Sequence, residues 1–245
     1  DEIDTVKAYM YRSGITGGYS SCDTLDENNA NNCYPEIPCT FVSCTGTQSE
    51  LPNIAQYTCN TSLQYYADPT DSYSPFPDES WIATVKATDN GFGLGGTNPL
   101  TGTWGITNGV DVNSLLAFNI TQELNYGVLL AGQIISPLAS TTTITSAGNV
   151  ALNHSVSGDD MCEDYPACEG SKILVDQQKY ALNASTEWKD GTKLSATPTN
   201  VFTNLPKQTT STPTSVNIWW GILAPTGTPP KQYIGKNTVT SSVAY

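Results

Sequence analysis

Charge is scarce in this chain, and basic charge is the scarcest. Only 13% of the 245 residues are charged, about half the share that is usual in a soluble domain. The 10 lysines and arginines stand against 23 aspartates and glutamates, which gives a formal net charge of −13. Because a phosphate backbone binds to basic surfaces, this composition argues against nucleic acid as a partner.

Histidine is almost missing, and this limits the chemistry that can be expected. A zinc centre built on imidazole needs more than the single residue His154, and the cysteines do not form CxxC pairs. His154 alternates in step with Leu152 and Val156, which predicts a packed side chain and not a catalytic base. We therefore expect no catalytic residue, no cofactor and no enzyme.

Adjacent acids are the remaining feature that could suggest hydrolysis. Asp159/Asp160 and Glu163/Asp164 lie in or beside a short loop between two cysteines. Carboxylates in such loops are usually solvated, so they do not predict paired acid–base catalysis.

Long apolar runs and helical periodicity are also missing. No apolar stretch approaches the roughly 18 residues that a membrane-spanning helix needs, and no segment keeps an i, i+3, i+4, i+7 pattern for more than about ten residues. Alternation with a period of two recurs instead, for example over residues 57–65 and 150–156. The sequence predicts an all-β chain with two Ig-like or jelly-roll-like antiparallel β-sandwiches in tandem. A boundary near Gly105–Gly109 would give domains over residues 1–107 and 108–245.

Cysteine, by contrast, is well represented, with seven residues that indicate disulfides and an oxidising compartment. They are Cys22, Cys33, Cys39, Cys44, Cys59, Cys162 and Cys168. The last two bracket a short loop and are expected to pair. The five N-terminal cysteines form at most two bonds, so one thiol is left free or pairs between subunits. Cys22–Cys33 is the first expectation there, and Cys39–Cys44 or Cys44–Cys59 the second.

Four Asn-x-Ser/Thr sequons are candidate glycosylation sites: Asn60, Asn119, Asn153 and Asn183. The first three fall on polar faces of predicted strands, where a glycan would meet solvent. The chain begins DEIDTV, without an initiator Met or an apolar leader. We expect the mature form of an extracellular, cell-surface glycoprotein from which a signal peptide has been removed.

Two groups of acids are weak candidates for a calcium site. Asp23 and Asp26 lie in a polar, cysteine-bearing loop, and Asp68, Asp71 and Asp89 would converge at one end of the first sandwich. The loop spacing does not match the EF-hand pattern. Turn-forming aspartate is the competing interpretation for the second group.

Three segments in a fixed order carry a family resemblance. They are LNYGVLLAGQ, TSAGNVALNHSVSG and IWWGILAPTGTPPKQYIGKNTVTSSV. Together they resemble a β-sandwich domain of exported surface proteins from bacteria and archaea, over about Asp111–Tyr245. The tail matches best, at Trp220-Gly221, Pro225, Gly227-Thr228-Pro229, Tyr233, Gly235 and Asn237, while Ala147 and Lys231 depart from the pattern. The N-terminal half is similar to the Ig-like module that often precedes this domain.

The resemblance implies a cell-surface location and brings no catalytic residues. Because similar sandwiches include filament subunits, we expect a structural subunit of an extracellular filament or surface layer, with itself as partner in a homopolymer. Assembly would use head-to-tail contacts or the donation of a terminal strand. The first candidate strand runs from Ile3 to Arg12, with Ile3, Val6, Ala8 and Met10 on it, and KNTVTSSVAY at the C-terminus is the second.

The competing hypothesis is a monomeric surface adhesin or carbohydrate-binding module with surface glycans as partners. It relies on aromatic side chains that stack on sugar rings when exposed and fill a sandwich when buried. The candidates are Tyr65, Tyr66, Tyr73, Phe76, Trp104, Trp188 and Trp219.

Overall fold

The computed structural model describes residues 3–24, 30–45, 54–91 and 99–244. Nearly all of its regular structure is antiparallel strand, so the all-β prediction is confirmed. The chain divides into two compact units, one of Asp1–Leu115 with Thr209–Thr212 and one of Leu116–Gln208 with Pro213–Tyr245. Within the described part of the chain, no helix has the length and apolar character needed to cross a membrane.

The first unit is built on one five-stranded sheet with the order β3-β2-β1-β4-β5. Its elements are β1 (Ile3–Arg12), α1 (Tyr19–Thr24), β2 (Cys33–Thr45), β3 (Ile54–Cys59), β4 (Trp81–Asp89) and β5 (Thr101–Val110). The boundary expected at residue 107 lies inside β5, and the compact units divide after Leu115.

Both faces of this sheet are covered. The side chains of β1 point alternately to the two faces, and each face packs against its own cluster of buried residues. Ala8 packs on one face with Ala67 and Trp81, and the Trp81 indole donates a hydrogen bond to the Asp68 carbonyl at 2.8 Å. On the other face Tyr9 packs against the disulfide-bonded end of α1. The described strands of this unit therefore form a single layer, covered by α1 on one side and by the loop around Ala67 on the other. The Pro-rich sequence of that loop disfavours a second sheet.

The second unit is a two-layer sandwich. Its strands are β6 (Phe118–Ile120), β7 (Ser140–Ser146), β8 (Leu152–Gly158), β9 (Met161–Cys162), β10 (Lys172–Ile173), β11 (Gln178–Ala181), β12 (Thr192–Lys193), β13 (Thr199–Leu205), β14 (Ser215–Ile222) and β15 (Asn237–Val243). Two short 3-10 helices, Val175–Gln177 and Trp188–Asp190, precede β11 and β12. A five-stranded sheet has the order β12-β11-β14-β7-β6, a three-stranded sheet the order β13-β8-β15, and β9 pairs with β10.

The core of the second unit lies between these two sheets. Alternate residues of β8 point inward, including Leu152 and Val156, and they meet Ile218 and Trp220 of β14. Each large apolar side chain buried in this way contributes roughly 1.5–3 kcal/mol to folding. The apolar run that includes Trp219 and Trp220 is thus a central strand of the five-stranded sheet.

Candidate functional site

The N-terminal strand expected to join a neighbour lies in the middle of its own sheet. β1 pairs with β2 on one side and with β4 on the other, and the pairing with β4 extends from Ile3 to Arg12. Val6 and Ala8 are buried, Met10 is half-buried, and Ile3 is exposed. Both edges of β1 are therefore occupied over residues 7–11, whereas residues 3–6 have a strand neighbour only in β4 within the described part of the chain. The donor role of β1 stays a prediction.

The second candidate, β15, is an edge strand. It pairs with β8 at seven consecutive positions without a register shift. The Ala244 N–H donates to the Ala151 carbonyl at 2.9 Å, and hydrogen-bonded pairs alternate along an antiparallel ladder. The N–H and C=O groups of Val239, Ser241 and Val243 therefore point away from β8. This regular, unpaired edge is where the C-terminal segment could accept another strand.

β5 presents a longer unpaired edge, which the sequence reading missed. Over the described residues it has a strand neighbour on one side only, β4. The Asp89 N–H donates to the Leu100 carbonyl at 3.0 Å, so the main-chain groups of Thr101, Thr103 and Gly105 point outward by the same alternation. Every side chain described in this strand is exposed, and Trp104 is 76% exposed.

The other edges of the two larger sheets in the second unit are protected in familiar ways. β6 and β12 are only three and two residues long, which leaves little backbone to pair. β13 shifts register between Val201 and Leu205, and Asn204 there has a φ of 46°. Such a bulge discourages another strand from docking. Among the described strands, β15 is thus the least protected edge of the second unit, while in the first unit both edges, β5 with ten residues and β3 with six, are unpaired.

The disulfide pattern of the first unit differs from the expected one in a single bond. Cys22 pairs with Cys33, and in the second unit Cys162 pairs with Cys168, as expected. The remaining bond joins Cys39 to Cys59, so neither Cys39–Cys44 nor Cys44–Cys59 forms. The cause is register, because Cys39 lies opposite Cys59 in the β2–β3 ladder while Cys44 lies opposite Ala55. Cys44 is left free and exposed.

Of the candidate calcium ligands, the three described ones, Asp68, Asp71 and Asp89, each have other partners. Asp68 is buried and forms an ion pair with Arg12 at 3.0 Å, while Asp89 accepts hydrogen bonds from the N–H groups of Gly91 and Leu100. Asp71 accepts from the N–H groups of Tyr73 and Ser114. Desolvation by itself would raise the pKa of Asp71, but hydrogen bonds from Ser114 and Tyr73 outweigh it and lower the pKa.

Turn stabilisation therefore accounts for Asp71 and Asp89, and an ion pair for Asp68. Over the described ranges, no three histidine, cysteine or acidic side chains are grouped as a metal site. The Asp23 side chain and Asp26 lie outside the part of the chain that is described.

The four sequon asparagines all reach solvent to some degree. Asn60, Asn119 and Asn183 are exposed, whereas Asn153 is half-buried and its side-chain oxygen accepts a hydrogen bond from the Asn204 N–H at 3.0 Å. Asn119 and Asn153 lie in strands, while Asn60 directly follows β3 and Asn183 follows β11. Glycosylation stays a prediction at all four positions.

His154 is buried in the sandwich core, and it lies opposite Ser241 in the ladder between β8 and β15. Its Nδ1 lies 2.7 Å from the Thr203 hydroxyl, and its ring packs edge-on against Phe118. Burial lowers the pKa of His154, which favours the neutral ring. The acids of the 159–164 segment also have local partners: Asp160 lies near Lys172, Glu163 forms an ion pair with Lys231, and Asp164 accepts from two loop N–H groups.

The aromatic residues that could stack on sugars do not share one environment. Tyr66 is buried, and Phe76 and Trp188 are each covered by a cation, an arginine 3.5 Å and a lysine 4.2 Å from the ring centroids. Tyr73 and Trp104 are the most exposed of the group. Three of the seven candidates, Tyr65, Tyr73 and Trp104, are thus exposed, and only Tyr66 is fully buried.

We compared the chain with protein-family models, with curated proteins and with solved structures, and none of the three comparisons gave a match.

Proposed function

We propose that this chain is a structural subunit of an extracellular filament or surface layer, joined by strand-to-strand contacts between copies. The observation that carries this proposal is the unpaired edge of β5, with the outward main-chain groups of Thr101, Thr103 and Gly105. An exposed edge of this kind is a template for another extended chain.

The composition of β5 favours pairing over protection. The strand TGTWGITNGV holds no charged residue and no proline, the two devices that most often guard an edge. Its exposed Trp104 would lose water on contact with a neighbouring strand, and the burial of a large aromatic adds to the main-chain hydrogen bonds.

The position of β5 favours an open polymer over a closed dimer. β5 forms one edge of its sheet and β3 forms the other edge, with β2, β1 and β4 between them. If β5 of one copy pairs with β3 of the next, the contact joins two different surfaces, and the same step can be repeated. Ile54, which begins β3, is exposed and would be covered in such a contact.

The disulfides support the location in this proposal. Three of them indicate an oxidising environment. That the protein lies at a cell surface and carries glycans on its sequons is part of this proposal.

The proposal is tested at Thr103. Thr103→Pro removes one outward N–H group but leaves the ladder to β4 intact, because Thr103 is not in a hydrogen-bonded pair with β4. Thr103→Ala is the matched control, since it keeps that N–H group. We expect the wild type and Thr103→Ala to form polymers in electron micrographs and by light scattering, and Thr103→Pro to remain monomeric.

Two results would overturn the assembly through β5. Polymers of Thr103→Pro that equal those of the control would show that this edge is not used. If Ser241→Pro, which removes an outward N–H group of β15, blocks assembly instead, the C-terminal edge is the contact. A wild-type protein that stays monomeric would reject the polymer altogether and favour an adhesin.

A further inference from the structure

The second half of β2 and the whole of β3 form a two-stranded arm of the first unit. β1 pairs with β2 only between Cys33 and Pro38, whereas residues 39–45 pair with β3 alone. We call residues 39–45 together with Ile54–Cys59 the arm. Within the described part of the chain, the arm has no third strand on either side. A two-stranded ribbon is at best marginally stable by itself in water, so the arm needs support from elsewhere.

One end of the arm is fixed to the core of the first unit. The disulfide between Cys39 and Cys59 closes that end, and both residues pack against the cluster that contains Trp81. Beyond this disulfide, none of the described residues of the arm is buried. The arm is therefore held at its base, and the rest of its length is in contact with solvent.

The solvent-exposed part of the arm carries large apolar side chains. Phe41, Val42 and Ile54 are 54%, 52% and 61% exposed. Tyr57 lies beside Phe41, with the two ring centroids 5.5 Å apart. Single exposed apolar residues are common on protein surfaces, but several of them on one short ribbon form the kind of patch that marks a contact with another protein.

Charge is missing from both strands of the arm. Neither CTFVSCT over residues 39–45 nor IAQYTC over residues 54–59 contains an acidic or a basic residue. The whole chain has a formal net charge of −13, so copies of it repel one another over most of their surface. An uncharged, apolar surface is where two copies can approach. Its partner must also lack charge, because a charge buried in the contact would lose its hydration.

The outer edge of the arm also offers main-chain groups. The Cα atoms of Cys39 and Cys59 are 4.1 Å apart, which is the short spacing of a non-hydrogen-bonded antiparallel pair. Because the two kinds of pair alternate along the ladder, the N–H and C=O groups of Tyr57 and Cys59 point away from β2. These outward groups recur every second residue, as do the outward groups of β5.

Of the unpaired edges, β5 matches the arm better than β15 does. β5 is uncharged, and its Trp104 is 76% exposed. β15 is uncharged as well, but none of its described residues is a large apolar side chain that is exposed. The apolar side chains of the arm would therefore meet a large apolar partner on β5 and none on β15.

We propose that the arm of one copy docks on β5 of a second copy. The outward main-chain groups of Tyr57 and Cys59 then bond to the edge of β5, and the apolar side chains of the arm cover Trp104. This inference rests on the proposed assembly through β5 and identifies the surface that receives it. Because the two surfaces differ and each copy has both, the contact repeats head to tail.

The two surfaces can be inactivated one at a time. Tyr57→Pro removes an outward N–H group of the arm, and Tyr57→Ala is the matched control, since it also lacks the ring but keeps that N–H group. We expect Tyr57→Pro to sediment as a monomer, as Thr103→Pro does, and Tyr57→Ala to form polymers. An equal mixture of Tyr57→Pro and Thr103→Pro should form a discrete dimer, because one intact β5 and one intact arm remain between them.

Ile54→Glu carries the test if Tyr57→Pro does not fold. It places a charge on the arm at an exposed position, so it should raise the protein concentration at which polymers appear by about tenfold or more. Leu182→Glu introduces the same charge at an exposed apolar residue of the second unit and should leave that concentration unchanged.

Two results would overturn docking through the arm. Polymers of Tyr57→Pro that equal those of Tyr57→Ala would do so, and so would a mixture of the two folded proline variants that stays monomeric. If Thr103→Pro is monomeric while Tyr57→Pro forms polymers, assembly through β5 stands and only the arm is rejected. A monomeric wild-type protein would reject both proposals.

Discussion

Cys39 lies directly opposite Cys59 in the ladder between β2 and β3, with their Cα atoms 4.1 Å apart. The disulfide between them leaves Cys44 exposed on the same strand without a bond. Within the described chain this arrangement assigns every other cysteine to a disulfide.

This pairing predicts that Cys44 is the one reactive thiol of the native protein. We expect a thiol-directed alkylating reagent to modify one site without reduction, because disulfide-bonded sulfur does not react as a thiolate. Peptide mapping should place the label on Cys44 and recover a Cys39–Cys59 cross-linked peptide. Cys44→Ser is the control and should take up no label. A labelled Cys39 or Cys59 would contradict the pairing.

The central position of β1 predicts that changes in this strand unfold the first unit. Tyr9 is 1% exposed, so Tyr9→Ala should lower the free energy of unfolding by about 3–5 kcal/mol through lost burial and a cavity. Tyr73→Ala, at a side chain that is 78% exposed, is the control and should change it by less than about 0.5 kcal/mol. Urea denaturation measures both.

Deletion of residues 3–10 gives a stricter test of the same point. A truncated chain with an unchanged first unit would show that β1 is dispensable there and would support its role as a donor strand.

We expect the ion pairs of Arg12 to contribute strongly to the stability of the first unit. Its guanidinium pairs with buried Asp68 at 3.0 Å and with Glu79 at 2.5 Å. Arg12→Leu should cost roughly 3 kcal/mol, because it leaves a buried carboxylate without its cation. Lys7→Leu breaks the exposed pair with Glu36 and should lower the unfolding temperature much less, because water and salt screen an exposed pair. Equal losses in the two variants, measured by thermal unfolding, would contradict this assignment.

Because His154 is buried, we expect the second unit to lose stability in acid. Burial lowers its pKa in the folded state, so below about pH 6.5 the unfolded chain binds a proton that the folded chain resists. The stabilisation is therefore complete above the unfolded pKa and is lost as the pH falls toward the folded pKa. The loss approaches 1.4 kcal/mol per pH unit at most for one proton.

The control for this prediction is His154→Gln, which cannot titrate. Its free energy of unfolding should lack the part of the pH dependence that lies just below pH 6.5. If wild type and variant have the same slope there in urea titrations at several pH values, His154 is not the group responsible.

Local pattern was sufficient to predict the elements that alternate strongly. The β8 stretch from Leu152 to Val156 and the β14 stretch around Trp220 each carry a clear inward face, and both are core strands. The Cys162–Cys168 disulfide could be predicted because only a short loop separates the two residues. In these cases a few neighbouring residues contain the information, because period-two alternation and loop closure are properties of the local chain.

The edges could not be predicted in this way. β1 and β15 both read as alternating strands, but only the sheet order decides that β1 is central and β15 is an edge. The ten-residue strand β5 could not be recognised from its sequence, because it contains several glycines and Gly is a weak strand former. The strand forms here because it pairs with β4.

The sequence by itself determined the all-β class, the shortage of metal-binding chemistry and the oxidised character of the chain. Only the tertiary structure decided which strands keep free main-chain groups and that Cys39 bonds Cys59. The physical reason is that pairing and register join residues far apart in the chain. Gln178 and Asn237 share a hydrogen bond across 59 positions, and no local pattern records it.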